Sequence, residues 1–138
     1  MKRQRATVIV EIDQRILLVE NRGGLVLLPG GGIHAEESRP AAAARELAEE
    51  TGLIAQSVRF LFRHESATHC HNVFCASAAG TPLAGDDATR VHFFDPADWA
   101  LSERMSLATR QIVDRFLTLR SEAAASDSAE APGADPGR

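Results

Sequence analysis

The stretch from Gly30 to Leu53, GGGIHAEESRPAAAARELAEETGL, constrains this chain more than any other segment. Its second half predicts a helix, because Pro40 suits a first helical turn, where a missing N–H costs nothing. Residues 41–44 are all alanine, the strongest helix former. Gly52 is placed to end that helix in a left-handed cap. The glycines before the helix provide backbone that can bend sharply and approach a ligand closely.

Three carboxylates gather on one side of the predicted helix. At about 100° per residue, Glu46, Glu49 and Glu50 fall within one arc of roughly 100°. Leu47 lies on the opposite arc and can enter a core. The like charges repel one another at these spacings, and Arg45 supplies only one nearby cation. Because Mg²⁺ binds a few carboxylates together with substrate phosphates, the pattern predicts a metal-dependent phosphate site.

The spacing within this segment resembles the signature of the Nudix hydrolases. Gly31, Glu37 and the run from Arg45 to Leu53, RELAEETGL, match every fixed position of that signature. A match at so many fixed spacings is far more specific than a lone glycine motif. One departure is Glu36, which stands where many members of the family carry glycine.

The resemblance implies an α/β fold, the Nudix α/β/α sandwich with a mixed β-sheet between helices. We expect the Nudix domain to cover residues 1–120. Residues 121–138 carry no large apolar side chain and can bury almost nothing, so we predict a flexible tail there. The predicted strands cover residues 6–12, 15–19, 25–28, 57–62, 71–76 and 90–94, and a second, amphipathic helix covers residues 102–119.

The activity that the resemblance implies is hydrolysis of a nucleoside diphosphate linked to another group. Mg²⁺ is the expected ion, with Mn²⁺ as an alternative, because divalent ions polarise phosphoryl oxygens and lower the pKa of bound water. By resemblance, Glu46, Glu49 and Glu50 are the metal ligands. A backbone carbonyl of the glycine segment, that of Gly30, is a further expected ligand.

Two other motif residues are expected to orient these carboxylates. Glu37 and Arg45 match positions with that role in the family, although Arg45 can also be explained by a helical pair with Glu49 alone. The general base varies within the family, and Glu46 is our first choice. The alternatives from outside the motif are Asp86, Asp87 and Glu65.

The charge balance argues against a nucleic-acid partner. The net charge is −4 and the charged fraction is 25%, so there is no basic excess to hold a phosphate backbone. Lys2, Arg3 and Arg5 cluster near the amino end, and we interpret them as a solvated terminus rather than a binding patch. We therefore expect a small nucleotide-type substrate.

The compartment is predicted from what the sequence lacks. The first apolar run, residues 6–10, ends at Glu11 and does not resemble a signal peptide. No run approaches the roughly 20 apolar residues that span a bilayer, so we predict a cytoplasmic protein without membrane contact.

Cys70 and Cys75 are five residues apart, which on one strand separates them too far for a disulfide. We expect two free thiols.

A histidine-rich segment, His64 to His71, does not have the spacing of a His-Glu-x-x-His zinc motif. We interpret these histidines as strand-end or loop residues that can still face a substrate.

The substrate is less constrained than the family. Marks that the resemblance associates with other subgroups are absent: a proline near residues 68–71 for ADP-ribose, and any tyrosine for dinucleoside polyphosphates. This favours a nucleoside triphosphate or a related small nucleotide. The alternative function is a non-catalytic Nudix-fold module that senses nucleotides or binds a partner. The number of metal ions and the role of the tail stay open, and so does a homodimer, which is common in the family.

Overall fold

The computed structural model describes the backbone of residues 1–133 and the side chains of residues 1–126. The strands are β1 (Arg3–Ile9), β2 (Glu11–Ile12), β3 (Arg15–Asn21), β4 (Val26–Leu27), β5 (Gly30–Gly32), β6 (Ile54–Glu65), β7 (His69–Ala79) and β8 (Ala88–Phe94). The helices are α1 (Arg39–Thr51), α2 (Trp99–Glu103) and α3 (Leu107–Gly133).

The strands form one mixed sheet and one antiparallel sheet. The mixed sheet has the order β5-β1-β7-β6, in which β1 and β7 run parallel and the other neighbours run antiparallel. In the second sheet β3 pairs antiparallel with β2, β4 and β8. Because β1 and β7 run parallel, a long crossover connection has to link them. Helix α1 lies within that crossover.

Alternating strand residues enter two separate cores, one on each side of the strands. Val8 of β1 packs in the core that contains Leu47 of α1. The next residue, Ile9, packs in the core that contains Ile112 and Phe116 of α3. Successive strand side chains point to opposite faces, so the strands lie between two helices. The α/β/α sandwich expected from the sequence is confirmed.

Helix α1 forms where the sequence predicts it and has a defined cap at each end. At its start the Ser38 hydroxyl accepts a hydrogen bond of 3.1 Å from the Ala41 N–H. At its end Gly52 adopts φ 73°, and its N–H donates to the Ala48 carbonyl. Its buried residues are Ala42, Ala43, Leu47 and Thr51. These caps fix the register of the acidic face relative to the sheet.

The glycine segment is part of the mixed sheet, since Gly30–Gly32 form strand β5 and pair with β1. Gly30 pairs with Thr7, and a Cβ atom on Gly30 would collide with the backbone carbonyl of Ala6. Glycine therefore permits an approach of two backbones that no larger residue allows.

The carboxyl-terminal helix is interrupted and longer than expected. The helix predicted over residues 102–119 begins only at Leu107, as α3, because the backbone around Met105 pairs with Val26 of β4 and separates α3 from the short helix α2. Helix α3 continues past residue 120 to Gly133, since an alanine-rich segment favours helix without burial. The expected tail thus begins in helix, and its last residues, 134–138, lie outside the described residues; the division at residue 120 stays a prediction.

None of the described helices combines the length and apolar character needed to cross a membrane.

The two cysteines agree with the sequence analysis. Cys70 and Cys75 both lie on β7, and both are free thiols. Burial raises the pKa of the Cys75 thiol.

The Ser38 cap gives a direct test of how α1 is positioned. Ser38→Ala should lower the free energy of unfolding by about 1 kcal/mol, because the Ala41 N–H loses its acceptor. Ser38→Asp, which restores a capping oxygen, should stay close to wild type. Chemical denaturation followed by circular dichroism measures both variants, and equal stability of Ser38→Ala and wild type would contradict the role of the cap.

Candidate active site

Helix α1 places two carboxylates directly against the glycine strand. The Glu50 Oε1 atom accepts a hydrogen bond of 3.1 Å from the Gly30 N–H. The Glu46 carboxylate lies so close to Gly31 that a Cβ atom on Gly31 would be 2.5 Å from it. Gly31 therefore has to lack a side chain for Glu46 to occupy this position.

Arg45 connects the acidic residues of the motif to one another. Its Nε and Nη2 atoms donate to the two Glu37 oxygens at 2.6 and 3.0 Å. Its Nη1 atom donates to Glu46 at 2.8 Å and to Glu49 at 3.0 Å. Nη2 also donates to the Gly32 carbonyl at 3.0 Å. The fork of a guanidinium suits such planar, paired contacts, so Arg45 does more than form the pair with Glu49.

Glu37 is committed to this network as an anion. The hydrogen bonds from Arg45, followed by one of 2.9 Å from the His34 N–H, lower the pKa of Glu37 to about 2. The hydrogen bonds to Glu37 and then to Glu46 raise the pKa of Arg45. With both oxygens occupied, Glu37 is arranged to hold Arg45 in place.

Glu50 has a different environment, because no cation pairs with it in the described part of the chain. Burial raises the pKa of Glu50 to about 7, and the nearby charge of Glu46 adds to this rise. The Gly30 N–H and the charge of Arg5 act in the opposite direction. A buried carboxylate beside another carboxylate is stabilised as an anion when a cation joins them.

The donor set fits a hard divalent ion that is shared with a substrate. Glu46 and Glu50 supply oxygen atoms, the ligand type that Mg²⁺ takes, and Mg²⁺ uses one or two carboxylates together with phosphates and water. Within residues 1–126 no three His, Cys, Asp or Glu side chains form a complete metal site by themselves. Glu49, the third expected ligand, pairs with Arg45 and is 44% exposed.

The two carboxylates open into a cavity of about 370 Å³. Its lining residues are Arg5, Val19, Glu20, Asn21, Leu27, Leu28, Gly30, Gly31, Glu46, Glu50, Asp86, Asp87 and Ala88. The loop before β8 reaches this cavity because the Gly85 N–H donates to the Glu50 carbonyl at 2.9 Å. Two of the alternative bases, Asp86 and Asp87, therefore share the cavity with Glu46. The third, Glu65, lies elsewhere and pairs with Lys2 at 2.9 Å.

Two cavity residues were missed or misinterpreted from the sequence. Arg5, interpreted as part of a solvated terminus, is half-buried in β1 and lines the cavity. Glu20 was not considered at all. Its carboxylate accepts from His92 at 2.8 Å and from Arg104 at 2.7 Å. A charged residue directly after the apolar run of residues 16–19 was the available signal.

The histidines lie on paired strands and form no zinc site in the described residues. His64 and His71 face each other across β6 and β7, with ring centroids 5.9 Å apart. His71 Nδ1 lies 3.1 Å from the Thr7 hydroxyl. Burial, followed by the charge of Arg5, lowers the pKa of His71 to about 4. His71 is therefore neutral at physiological pH.

Comparisons with known proteins identify the family to which the chain belongs. A NUDIX domain model matches residues 1–116. The chain belongs to this family. Its fold is similar to that of a Nudix hydrolase family member from Chromobacterium violaceum, with a TM-score of 0.80, 28% identity and coverage of 100% of this chain and 98% of that one. The ORF135 protein of Escherichia coli has the same fold, with a TM-score of 0.71, 24% identity and coverage of 88% and 94%.

The chain is also similar to part of a longer relative. The ADP-ribose pyrophosphatase of Methanocaldococcus jannaschii is 36% identical over 98 residues, which are 63% of this chain. The match spans 58% of that relative's length. The family match confirms the Nudix domain that the sequence predicts, and Nudix hydrolases generally use divalent metal ions.

The glycines of β5 offer a matched pair of variants. Gly31→Ala should displace the Glu46 carboxylate and weaken Mn²⁺ binding about tenfold or more, as expected when the groups that orient metal ligands are disturbed. Gly32→Ala should bind Mn²⁺ like wild type, because nothing lies within 4 Å of a Cβ atom there. Electron paramagnetic resonance of free Mn²⁺ measures both affinities, and equal affinities in the two variants would contradict the proposed contact.

His71 predicts a pH dependence of stability. Its pKa is about 4 in the folded chain, below the ordinary 6.5, so the unfolded chain binds more protons between these values. Stability should therefore fall as the pH drops from 6.5 towards 4. In His71→Gln this slope should be smaller than in wild type, whereas His34→Gln, which alters an exposed histidine, should keep it. Denaturation at several pH values measures the slopes, and identical slopes in wild type and His71→Gln would refute the assignment.

Proposed function

We propose that this Nudix hydrolase cleaves the pyrophosphate linkage of a nucleoside diphosphate-linked small molecule, with Mg²⁺ held by Glu46 and Glu50. Mn²⁺ is the expected substitute. The observation that carries the proposal is the placement of these two carboxylates against Gly30 and Gly31, in the lining of one cavity. A nucleotide phosphate can approach there because the glycine backbone presents no side chains.

Each motif residue has a distinct task in this proposal. The divalent ion, when bound, polarises phosphoryl oxygens and lowers the pKa of the attacking water. Glu46 accepts the proton of that water, and Asp86 or Asp87 is the alternative base within the same cavity. Arg45 and Glu37 keep Glu46 and Glu49 in position. Glu49 and the Gly30 carbonyl complete the proposed ligand set when ion and substrate are both bound.

Two kinds of substrate are candidates: a nucleoside triphosphate or related small nucleotide, and ADP-ribose. The missing subgroup marks favour a nucleoside triphosphate or a related small nucleotide. The relative from Methanocaldococcus jannaschii, an ADP-ribose pyrophosphatase by name, favours ADP-ribose. Both contain the same reacting unit, a pyrophosphate attached to a nucleoside, so the carboxylates serve either one.

A non-catalytic Nudix-fold module that senses a nucleotide or binds a partner is the alternative function. It would bind nucleotides tightly without turnover at any pH or with any metal ion. The complete set of motif carboxylates favours the enzyme. Cytoplasmic localisation and a homodimer stay predictions.

Turnover with a matched pair of glutamate variants tests the proposal. Wild type with Mg²⁺ should release phosphate, pyrophosphate or a nucleoside monophosphate from a panel of nucleoside triphosphates, dinucleotides, nucleotide sugars and ADP-ribose. Glu50→Gln should lower kcat/KM by about a hundredfold or more, since polarisation by a metal ion contributes several kcal/mol and each 1.4 kcal/mol is a factor of ten. The control is Glu103→Gln, an exposed glutamate outside the cavity, which should react like wild type.

The products also identify the attacked atom. Reaction in oxygen-18-labelled water and mass spectrometry of the products show which phosphorus receives the water oxygen. Equal turnover by wild type and Glu50→Gln would remove Glu50 from the mechanism. Tight binding of a panel nucleotide without any turnover would favour the non-catalytic module.

A further inference from the structure

Arg5 lies beside the proposed metal carboxylates, although it is distant from them in sequence. In strand β1 it pairs with Gly32 of β5 on one side and with His71 of β7 on the other. The two neighbouring strands fix the backbone of Arg5 within the mixed sheet. Its half-buried side chain lines the same cavity as Glu46 and Glu50.

The charge of this cavity is strongly one-sided. Its acidic lining residues are Glu20, Glu46, Glu50, Asp86 and Asp87. Among the described lining residues, Arg5 alone carries a positive charge. A phosphate chain entering this space meets repulsion from every ionised carboxylate. A fixed cation in the cavity wall would lower this repulsion in addition to any metal ion bound by the carboxylates.

Among the described residues, no acidic side chain forms an ion pair with the guanidinium of Arg5. Its Nε atom is buried and makes no hydrogen bond, and none of the ion pairs among residues 1–126 includes Arg5. Arg45, by contrast, uses its guanidinium in five hydrogen bonds to four residues. A buried donor without an acceptor is unfavourable, so a ligand that supplies anionic oxygens would satisfy Arg5.

We propose that Arg5 binds a phosphate group of the substrate, on the wall of the cavity next to the carboxylates Glu46 and Glu50. The planar guanidinium can donate two parallel hydrogen bonds to non-bridging phosphate oxygens. Arg5 then contributes to substrate affinity directly and does not depend on the metal ion to do so. This assignment rests on the proposed function and names the residue that recognises the phosphate chain.

A competing explanation is that Arg5 only offsets the negative charge of Glu50. Its charge does act to lower the pKa of that carboxyl. In that case, loss of Arg5 would change the stability of the ligand-free protein and leave nucleotide affinity unchanged. The proposed phosphate contact therefore predicts a change in nucleotide affinity, whereas the competing explanation predicts a change in stability alone.

The test compares ADP binding by three variants in isothermal titration calorimetry, once with Mg²⁺ and once with EDTA. Arg5→Gln should weaken ADP binding about tenfold or more under both conditions, because hydrogen bonds to a charged group are lost. Arg5→Lys should recover part of the affinity, since it keeps the charge without the fork. Arg3→Gln is the matched control: Arg3 lies two residues earlier on the same strand, is exposed, and is not part of the cavity lining. It should bind ADP like wild type.

Kinetics and stability complete the comparison. With a substrate identified by the nucleotide panel, Arg5→Gln should raise KM more than it lowers kcat, and this rise in KM should remain after the melting temperature without ligand has been measured for both proteins. If Arg5→Gln does not fold, the comparison of Arg5→Lys with Arg3→Gln decides the question.

Several outcomes would overturn the assignment. They are unchanged ADP affinity in Arg5→Gln, an equal loss of affinity in Arg3→Gln, and a change in melting temperature alone. Failure of the proposed function looks different. Wild type that binds ADP through Arg5 but hydrolyses nothing contradicts the enzyme and leaves the phosphate contact intact, whereas turnover with unchanged ADP affinity in Arg5→Gln contradicts the contact alone.

Discussion

The site depends on close packing at the glycines of β5. There the backbone of β5 contacts the backbone of β1 and the glutamate side chains of α1. Gly30 lies so near the Ala6 carbonyl that no side chain fits, and Gly31 leaves space for the Glu46 carboxylate. The Gly30 N–H then becomes the hydrogen-bond donor to Glu50. A larger residue at either glycine would separate helix and strand, and with them the two carboxylates and the cavity that they border.

Electrostatics divides the motif glutamates into two groups. Glu37 and Glu49 are held by Arg45, which also reaches Glu46, so much of the repulsion on the helix is offset within the protein. Glu50 is buried without such a partner in the described chain, and its raised pKa reflects that difference. A protein that only needed a stable helix would gain nothing from such a residue. A protein that exchanges an ion and a phosphate at this position needs an anion that its own cations do not neutralise.

Local signals made part of this structure predictable from the sequence. The first turn of α1 at Pro40, its Gly52 cap and the spacing of its acidic face lie within a few turns of chain, so this helix could be predicted from the sequence, although the Ser38 cap was not. The strand formed by Gly30–Gly32 could not, because it depends on pairing with β1. The same holds for the break near Met105, which pairs with Val26, and for Arg5 and Glu20, which reach the cavity only through the sheets. The sequence thus predicted the motif carboxylates Glu46 and Glu50, whereas Arg5 and Glu20 enter the cavity only through tertiary structure.

The most direct test of the central claim is a crystal structure with Mg²⁺ and a slowly hydrolysed nucleotide. The account predicts an ion bound to carboxylate oxygens of Glu46 and Glu50 at about 2.0–2.1 Å, with further ligands from the phosphates and water. An ion bound elsewhere on the surface, or a nucleotide seated away from this cavity while both carboxylates face solvent without a metal, would contradict it.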